Sequence, residues 1–190
     1  MTGRELILGG QKSGKSRRAE TLAAAWLAAS PAHEAVMVAT AQAWDDEMRE
    51  RIARHRQDRA LRVPGMRTVE EPLALAEAIV AHTAPHTLVA VDCLTLWLTN
   101  SMMPMHDTPG GSATVASPRD AIGALLAALG AARGPVVLVG NEIGLGVIPM
   151  GREVRAFVDA LGRLNQDVAA ACDRVTLMAA GLPLTLKEPA

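Results

Sequence analysis

The chain has 190 residues, of which 49% are hydrophobic and 21% charged, a composition that fits one globular domain and excludes global disorder. Its 19 basic and 20 acidic residues give a net charge of −1, which excludes bulk electrostatic attraction to DNA. Only 2% of the residues are aromatic, whereas proteins that bind single strands by stacking need aromatic platforms. We therefore expect no nucleic-acid partner.

In chain order, short β-rich runs alternate with longer runs that are rich in alanine and leucine. The predicted strands are 5–8, 35–40, 87–91, 136–139, 175–179 and 182–187. The predicted helices are 15–29, 45–59, 72–82, 94–101, 118–132 and 152–171, with loops at 61–67 and 102–117. This alternation predicts an α/β fold with a mostly parallel sheet and helices on both faces, in a single domain spanning 1–190.

The sequence lacks the features of a membrane-spanning or secreted protein. The longest apolar stretches, near 121–132 and 135–139, are too short to span a membrane, and the first apolar run ends at Gly9, too early for a signal peptide. Cys93 and Cys172 have no Cys or His neighbours at metal-ligand spacing, so we expect buried, reduced thiols. A cytoplasmic protein is the prediction.

A phosphate-binding loop is predicted where the first strand meets the first helix. The fixed positions of the pattern are Gly9, Gly14, Lys15 and Ser16. Glycines let backbone N–H groups surround phosphates, the helix dipole favours an anion, and the lysine contacts the β- and γ-phosphates. The serine hydroxyl would ligate Mg²⁺. The predicted nucleoside triphosphate site comprises Gly9, Gly10, Gln11, Lys12, Ser13, Gly14, Lys15 and Ser16.

A second magnesium-organising carboxylate is expected at Asp92, which follows the strand 87–91. The alternative is that Asp92 caps the helix that begins at Leu94. No Asn-Lys-x-Asp motif for reading guanine is present, which argues against a signalling GTPase.

The second helix combines a histidine with arginines. Arg51, His55 and Arg59 recur at i, i+4 and i+8 and so share one helix face. Nearby positive charge favours a neutral imidazole, which is a nucleophile, while the arginines would hold the phosphate that it attacks. The alternative is a solvated helix face that is balanced by Glu50 and Asp58.

Six segments together carry a resemblance to a known family. They are GGQKSGKSRRAE (9–20), VATAQAWDDEMRERIARHRQDR (38–59), RTVEEP (67–72), VDCLTLWLTN (91–100), NEIGLGVIP (141–149) and GRLNQ (162–166). Over residues 6 to about 187 the chain resembles the bifunctional adenosylcobinamide kinase/adenosylcobinamide-phosphate guanylyltransferases of cobalamin biosynthesis. The DDEM sequence followed by the histidine and the NEIGLGVIP sequence are the most specific of these segments.

The resemblance implies two reactions. GTP or ATP phosphorylates adenosylcobinamide, and GTP then guanylylates a histidine, which passes GMP to adenosylcobinamide phosphate to give adenosylcobinamide-GDP. The histidine falls on His55, with Lys15 as the second catalytic residue. Beyond the phosphate loop, the implied nucleotide contacts are Thr40, Ala41, Gln42, Arg56, Gln57, Asp58, Arg59, Glu70 and Asp92. The implied fold resembles the recombinase-type (RecA-like) phosphate-loop domain, assembled as a homo-oligomer such as a trimer.

Three departures from the family pattern and three open alternatives remain. Lys12 stands where the family usually has arginine, the 61–67 loop is slightly longer than usual, and 102–117 matches no segment of the family. The 102–117 loop is either a flexible lid or a disordered connection. Gly144 and Gly146 serve either a ligand site or only a turn. The alternative functions are a phosphate-loop kinase without the nucleotidyl step and a nucleotide-regulated binding protein.

Overall fold

The computed structural model describes residues 3–103, 117–147 and 149–189. Its strands are β1 (Arg4–Gly9), β2 (Glu34–Ala39), β3 (Arg67–Glu70), β4 (Thr87–Asp92), β5 (Val136–Val139), β6 (Arg174–Ala179) and β7 (Leu182–Lys187). Its helices are α1 (Lys15–Ala29), α2 (Asp46–Arg62), α3 (Leu75–His82), α4 (Leu94–Met102), α5 (Pro118–Ala131) and α6 (Arg152–Ala171).

The strands form one seven-stranded sheet in the order β3-β2-β4-β5-β1-β6-β7. All neighbouring pairs are parallel except β6 and β7, which form an antiparallel hairpin at one edge. Strands β1, β4 and β5 therefore lie side by side, and their carboxyl ends meet at the same edge of the sheet. In open α/β sheets this edge is where ligands bind.

The core lies on both faces of the sheet, as the near-continuous apolar strands predict. On one face Leu6 and Leu8 pack among residues of α3, α4, α5 and α6. On the other face Ile7 packs with Ala19, Ala23 and Trp26 of α1. The predicted α/β class, mostly parallel sheet and helices on both faces are thus confirmed.

Two predictions between α2 and α3 were wrong. Residues 61–67 were predicted to be a loop, but α2 continues to Arg62, whose guanidinium bonds to Glu20 at 3.0 Å and Asp58 at 3.1 Å. The short strand β3, which pairs with β2, was not predicted at all. It is an edge strand in which only Val69 is even half-buried, so it carries almost no hydrophobic pattern.

Helix α3 begins at Leu75 and not at Pro72 as predicted. The carboxylate of Glu71 accepts hydrogen bonds from the backbone N–H groups of Leu73 at 3.0 Å and Ala74 at 2.8 Å. These bonds hold the preceding residues in a turn, which delays the helix by three residues.

Of the predicted flexible loop 102–117, residues 104–116 lie outside the described part of the chain. Met102 is the last residue of α4, and the Ser117 side chain caps α5 by accepting from the Asp120 N–H. Within the described ranges, none of the helices combines the length and the apolar character that crossing a membrane requires.

Candidate active site

The phosphate loop connects β1 to α1 at the carboxyl edge of the sheet, which is the context that its sequence pattern requires. Gly9 has a φ of 154°, and a Cβ there would come within 2.5 Å of the Met178 carbonyl oxygen and 2.6 Å of Ser13 Oγ. Gly14, with a φ of 100°, is the N-cap of α1. Only glycine combines these backbone conformations with so close an approach.

The amino terminus of α1 is open to an anion. Among the described residues no side chain caps it, so its first N–H groups lack a side-chain acceptor there. Ser13 Oγ is buried in the loop without a hydrogen-bond partner among the described residues. Uncapped N–H groups and an unsatisfied hydroxyl facing one loop are what a bound phosphate would satisfy.

Lys15 lies at the base of the loop and is only 8% exposed. Its Nζ donates a 2.6 Å hydrogen bond to the Gly10 carbonyl oxygen, across the loop. Burial lowers the pKa of the Lys15 ammonium, and the neighbouring Cys93 thiol and Asp92 carboxylate act in the opposite direction. The lysine is thus a cation held in the loop, close to the carboxylate at the end of β4.

Asp92 is the last residue of β4 and is half-buried. The alternative that it caps α4 is wrong, because the N-cap is Cys93 and no side chain in the described part of the chain makes a cap bond. Burial, with a smaller contribution from the Asp92 charge, raises the pKa of the Cys93 thiol to about 11. Cys93 and Cys172 are both free and buried, as predicted.

The end of β4 is held in place by Thr40. Its hydroxyl donates to the Cys93 carbonyl at 2.7 Å and accepts from the Cys93 N–H at 2.8 Å. Its backbone N–H donates to the Asp92 carbonyl, and its own carbonyl accepts from Asn100 Nδ2 at 2.8 Å. Thr40 is 0% exposed, so in this conformation it positions Asp92 while Ala41 and Gln42, both half-buried, lie nearer the surface.

Ser16 and Asp92 offer oxygen donors of the kind that Mg²⁺ prefers. Ser16, in the first turn of α1, is half-buried. Within the described ranges no cluster of three or more His, Cys, Asp or Glu side chains could bind a metal alone. Magnesium suits such a sparse donor set, because it binds through one or two protein ligands together with substrate phosphates.

Helix α2 lies on the surface with a single buried residue, Arg59. His55 is exposed on this helix, and among the described residues no hydrogen bond or ion pair connects it to the phosphate loop. Asp45 caps the helix by accepting from the Met48 N–H at 2.7 Å. The predicted face of Arg51, His55 and Arg59 is therefore divided, since two of its members are exposed and one is buried.

The other predicted contacts on α2 pair with residues outside the loop. Arg56 forms an ion pair with Glu70 at the end of β3, which joins two of the predicted nucleotide contacts. Asp58 pairs with Arg62 at 3.1 Å, and Gln57 is exposed. Arg59 is 5% exposed and donates to Thr68 Oγ1 at 3.1 Å, while its Nε has no partner among the described residues. Arg56 and Arg59 thus link α2 to the β3 edge of the sheet, whereas the Asp58 ion pair lies within α2.

The segment after β5 supplies a carboxylate that the sequence analysis did not select. The Glu142 N–H donates to the Gly9 carbonyl at 3.1 Å, which places this residue beside the start of the loop. A cleft of about 570 Å³ separates the loop from the β6–β7 turn, and Glu142 and Leu145 line it. Gly144 and Gly146 form a turn here, as one of the two alternatives expected.

The comparisons with known proteins agree over nearly the whole chain. Residues 5–186 match the sequence model of a family described as cobinamide kinase / cobinamide phosphate guanyltransferase. The bifunctional adenosylcobalamin biosynthesis protein CobP of Pseudomonas aeruginosa is 48% identical over 98% of this chain and 99% of its own length. CobU of Escherichia coli, which carries the same description, is 37% identical over 96% of this chain and 98% of its own length.

Among solved structures, the flagellar accessory protein FlaH from Methanocaldococcus jannaschii shares the fold. The TM-score is 0.53 at 11% identity, over 98% of this chain and 79% of that one. At this identity the likeness shows the fold alone, and it confirms the predicted recombinase-like phosphate-loop architecture.

Proposed function

Because this chain belongs to the cobinamide kinase / cobinamide phosphate guanyltransferase family and is an enzyme of adenosylcobalamin biosynthesis, we propose that it carries out both reactions at one phosphate-loop site. The substrates are GTP or ATP and adenosylcobinamide, followed by GTP and adenosylcobinamide phosphate. The observation that carries the proposal is the buried Lys15, held in an uncapped phosphate loop close to the Asp92 carboxylate.

In the kinase reaction the loop binds the triphosphate through the backbone N–H groups of residues 9–16 and the α1 dipole. Lys15 leaves the Gly10 carbonyl and contacts the β- and γ-phosphates. Ser16 and Asp92 would hold Mg²⁺, which neutralises charge that develops on the phosphate oxygens. The residues of the loop thereby orient the γ-phosphate toward the acceptor hydroxyl and stabilise the leaving GDP or ADP.

In the guanylyl reaction His55 is the covalent carrier. A nitrogen of its imidazole attacks the α-phosphorus of GTP, the bond to the pyrophosphate oxygen breaks, and GMP is bound to the ring as a phosphoramidate. The α2 arginines and the residues at the β3 edge, Arg56–Glu70 and Arg59, are proposed to orient the nucleotide. His55 is exposed on α2, so this step requires the helix and the bound nucleotide to approach each other.

GTP labelled separately at the α- and γ-positions tests this proposal. We expect acid-labile, alkali-stable label on the protein from the α-position only. His55→Ala abolishes it, whereas His86→Ala, which replaces the exposed histidine just before β4, retains it. No α-label on the wild-type protein would rule out the guanylyltransferase reaction.

A kinase that lacks the nucleotidyl step is the second candidate, favoured by the absence of any described contact between His55 and the phosphate loop. In that case His55→Ala would retain full production of the phosphorylated corrinoid and no GDP-linked product would form with either protein. A nucleotide-regulated binding protein would consume no GTP in response to the corrinoid.

We also propose that the protein is cytoplasmic and forms a homo-oligomer, such as a trimer. Light scattering would measure the number of subunits.

A further inference from the structure

Glu142 is held rigidly beside the phosphate loop by residues that are distant in sequence. Its Oε1 accepts from the Gly144 N–H at 2.9 Å and its Oε2 from Asn165 Nδ2 at 3.4 Å. Asn165 is 4% exposed and also donates to the Asn141 carbonyl at 3.1 Å. Thr95 Oγ1 accepts from the Asn141 N–H at 2.9 Å, so the residue before Glu142 is held in place as well.

This carboxylate has no cationic partner within the described residues. A carboxylate beside a triphosphate site is repelled by the phosphates, which is unfavourable unless a proton or a cation lies between them. Ser16 and Asp92 already provide the donors that would hold Mg²⁺. The remaining task for such a group in phosphoryl transfer is to accept the proton of the attacking hydroxyl.

The cleft next to Glu142 has the size of a substrate arm. Its volume is about 570 Å³, and it runs from Gln11 and Lys12 of the loop to Met178 on β6. Leu145, which lines the cleft, is 82% exposed, and Val147 at 96% and Met150 at 95%, which follow it in the chain, are also almost fully exposed. Grouped exposed apolar side chains at the rim of a cleft mark a binding surface for an apolar molecule.

We propose that this cleft receives the alcohol arm of the corrinoid acceptor and that Glu142 is the general base of the kinase reaction, an inference that rests on the proposed function. The acceptor oxygen forms a bond to the γ-phosphorus as the bond from that phosphorus to the β-phosphate oxygen breaks. The hydroxyl proton passes to the Glu142 carboxylate and then to water. The exposed apolar rim contacts the macrocycle, which is too large for the cleft itself.

Glu142→Gln tests the base, with Glu153→Gln in the first turn of α6 as the exposed control. We expect kcat for transfer of γ-label to adenosylcobinamide to fall about 100-fold or more. The Kd for GTP stays within about twofold, and α-label still reaches His55. A variant that still binds GTP and still takes up α-label is folded, so its loss of turnover can be assigned to the missing base.

Turnover of Glu142→Gln within about threefold of wild type would overturn the inference while leaving the proposed function intact. A loss of GTP affinity as large as the loss of turnover would also overturn it, because Glu142 would then serve the nucleotide or its metal. No transfer by the wild-type protein would reject the proposed function, and the inference with it.

Leu145→Asp tests the acceptor cleft, with Leu61→Asp on α2 as a control of matched exposure at 81%. A charge at the rim should raise KM for the corrinoid about tenfold and raise the Kd for GTP far less, since it is the acceptor that contacts this side chain directly. An unchanged KM, or an equal rise in the Leu61 variant, would contradict the placement of the acceptor.

Discussion

The Nζ of Lys15 donates a 2.6 Å hydrogen bond to the carbonyl oxygen of Gly10, so the lysine occupies its own phosphate loop. The ammonium is buried, and burial lowers its pKa. When a triphosphate enters the loop, Lys15 exchanges its bond to the Gly10 carbonyl for bonds to charged phosphate oxygens. Both bonds have a charged donor, but a phosphate oxygen also carries a negative charge that attracts the ammonium, so binding is favoured by the exchange.

Lys15→Met distinguishes a role of Lys15 in nucleotide binding from a role in the stability of the fold. Because the folded-state pKa of Lys15 is lowered, its charged form is less favourable in the folded protein than in the unfolded chain. Methionine removes this desolvation penalty together with one hydrogen bond. We therefore expect the free energy of unfolding without nucleotide to stay within about 1 kcal/mol of wild type.

The same variant should lose its response to GTP. A ligand at 100 times its Kd stabilises a protein by about 2.7 kcal/mol, which thermal unfolding of wild type with and without Mg·GTP measures. Lys15→Met should show almost none of this gain. A loss of several kcal/mol without nucleotide would instead make Lys15 a structural residue.

Thr40→Val tests the connection between β2 and the end of β4. The substitution keeps the shape but leaves the Cys93 N–H and carbonyl without the hydroxyl partner that they share. Unsatisfied buried groups cost about 1–3 kcal/mol each, so urea denaturation should show a loss of about 2 kcal/mol or more. Thr99→Val, which removes only a local bond to the Thr95 carbonyl, is the control and should cost less than about 1 kcal/mol.

Local signals in the sequence were sufficient to predict the phosphate loop and most of the sheet. Gly9, Gly14, Lys15 and Ser16 are neighbours along the chain, and the buried strands are continuous apolar runs. In contrast, the bonds from Thr40 to Cys93 and from Asn165 to Glu142 join residues that are 53 and 23 positions apart. No periodicity or spacing rule marks such pairs, because only the folded sheet brings the ends of its strands together.

The magnesium requirement is predicted to depend on Asp92. Asp92→Asn keeps the side-chain size but removes the negative charge close to Lys15. We expect the Mg²⁺ concentration for half-maximal GTP-dependent phosphorylation to rise at least about tenfold. EDTA should abolish the activity of wild type, and excess Mg²⁺ should restore it. An unchanged Mg²⁺ dependence in Asp92→Asn would exclude this carboxylate as a ligand.

Asp173 lies at the edge of the sheet opposite the site. It should make the free energy of unfolding depend on pH in the acid range. A backbone hydrogen bond from the Arg4 N–H, at 2.7 Å, and a second bond from its side chain hold the pKa of Asp173 below its usual value. An Asp with a lowered folded-state pKa stabilises the protein above its unfolded-state pKa of about 3.9. This contribution is lost as the pH falls through the folded-state value.

Asp173→Asn should therefore lower the free energy of unfolding at neutral pH by about 0.5–1 kcal/mol, a small loss because the pair is partly exposed and screened by solvent. The difference from wild type should shrink as the pH falls below about 4, where the wild-type carboxyl is protonated as well. Denaturation at a series of pH values measures this difference. Asp167→Asn, on the exposed side of α6, serves as the control. A constant difference at all pH values would mean that the loss comes from altered packing and not from the charge of Asp173.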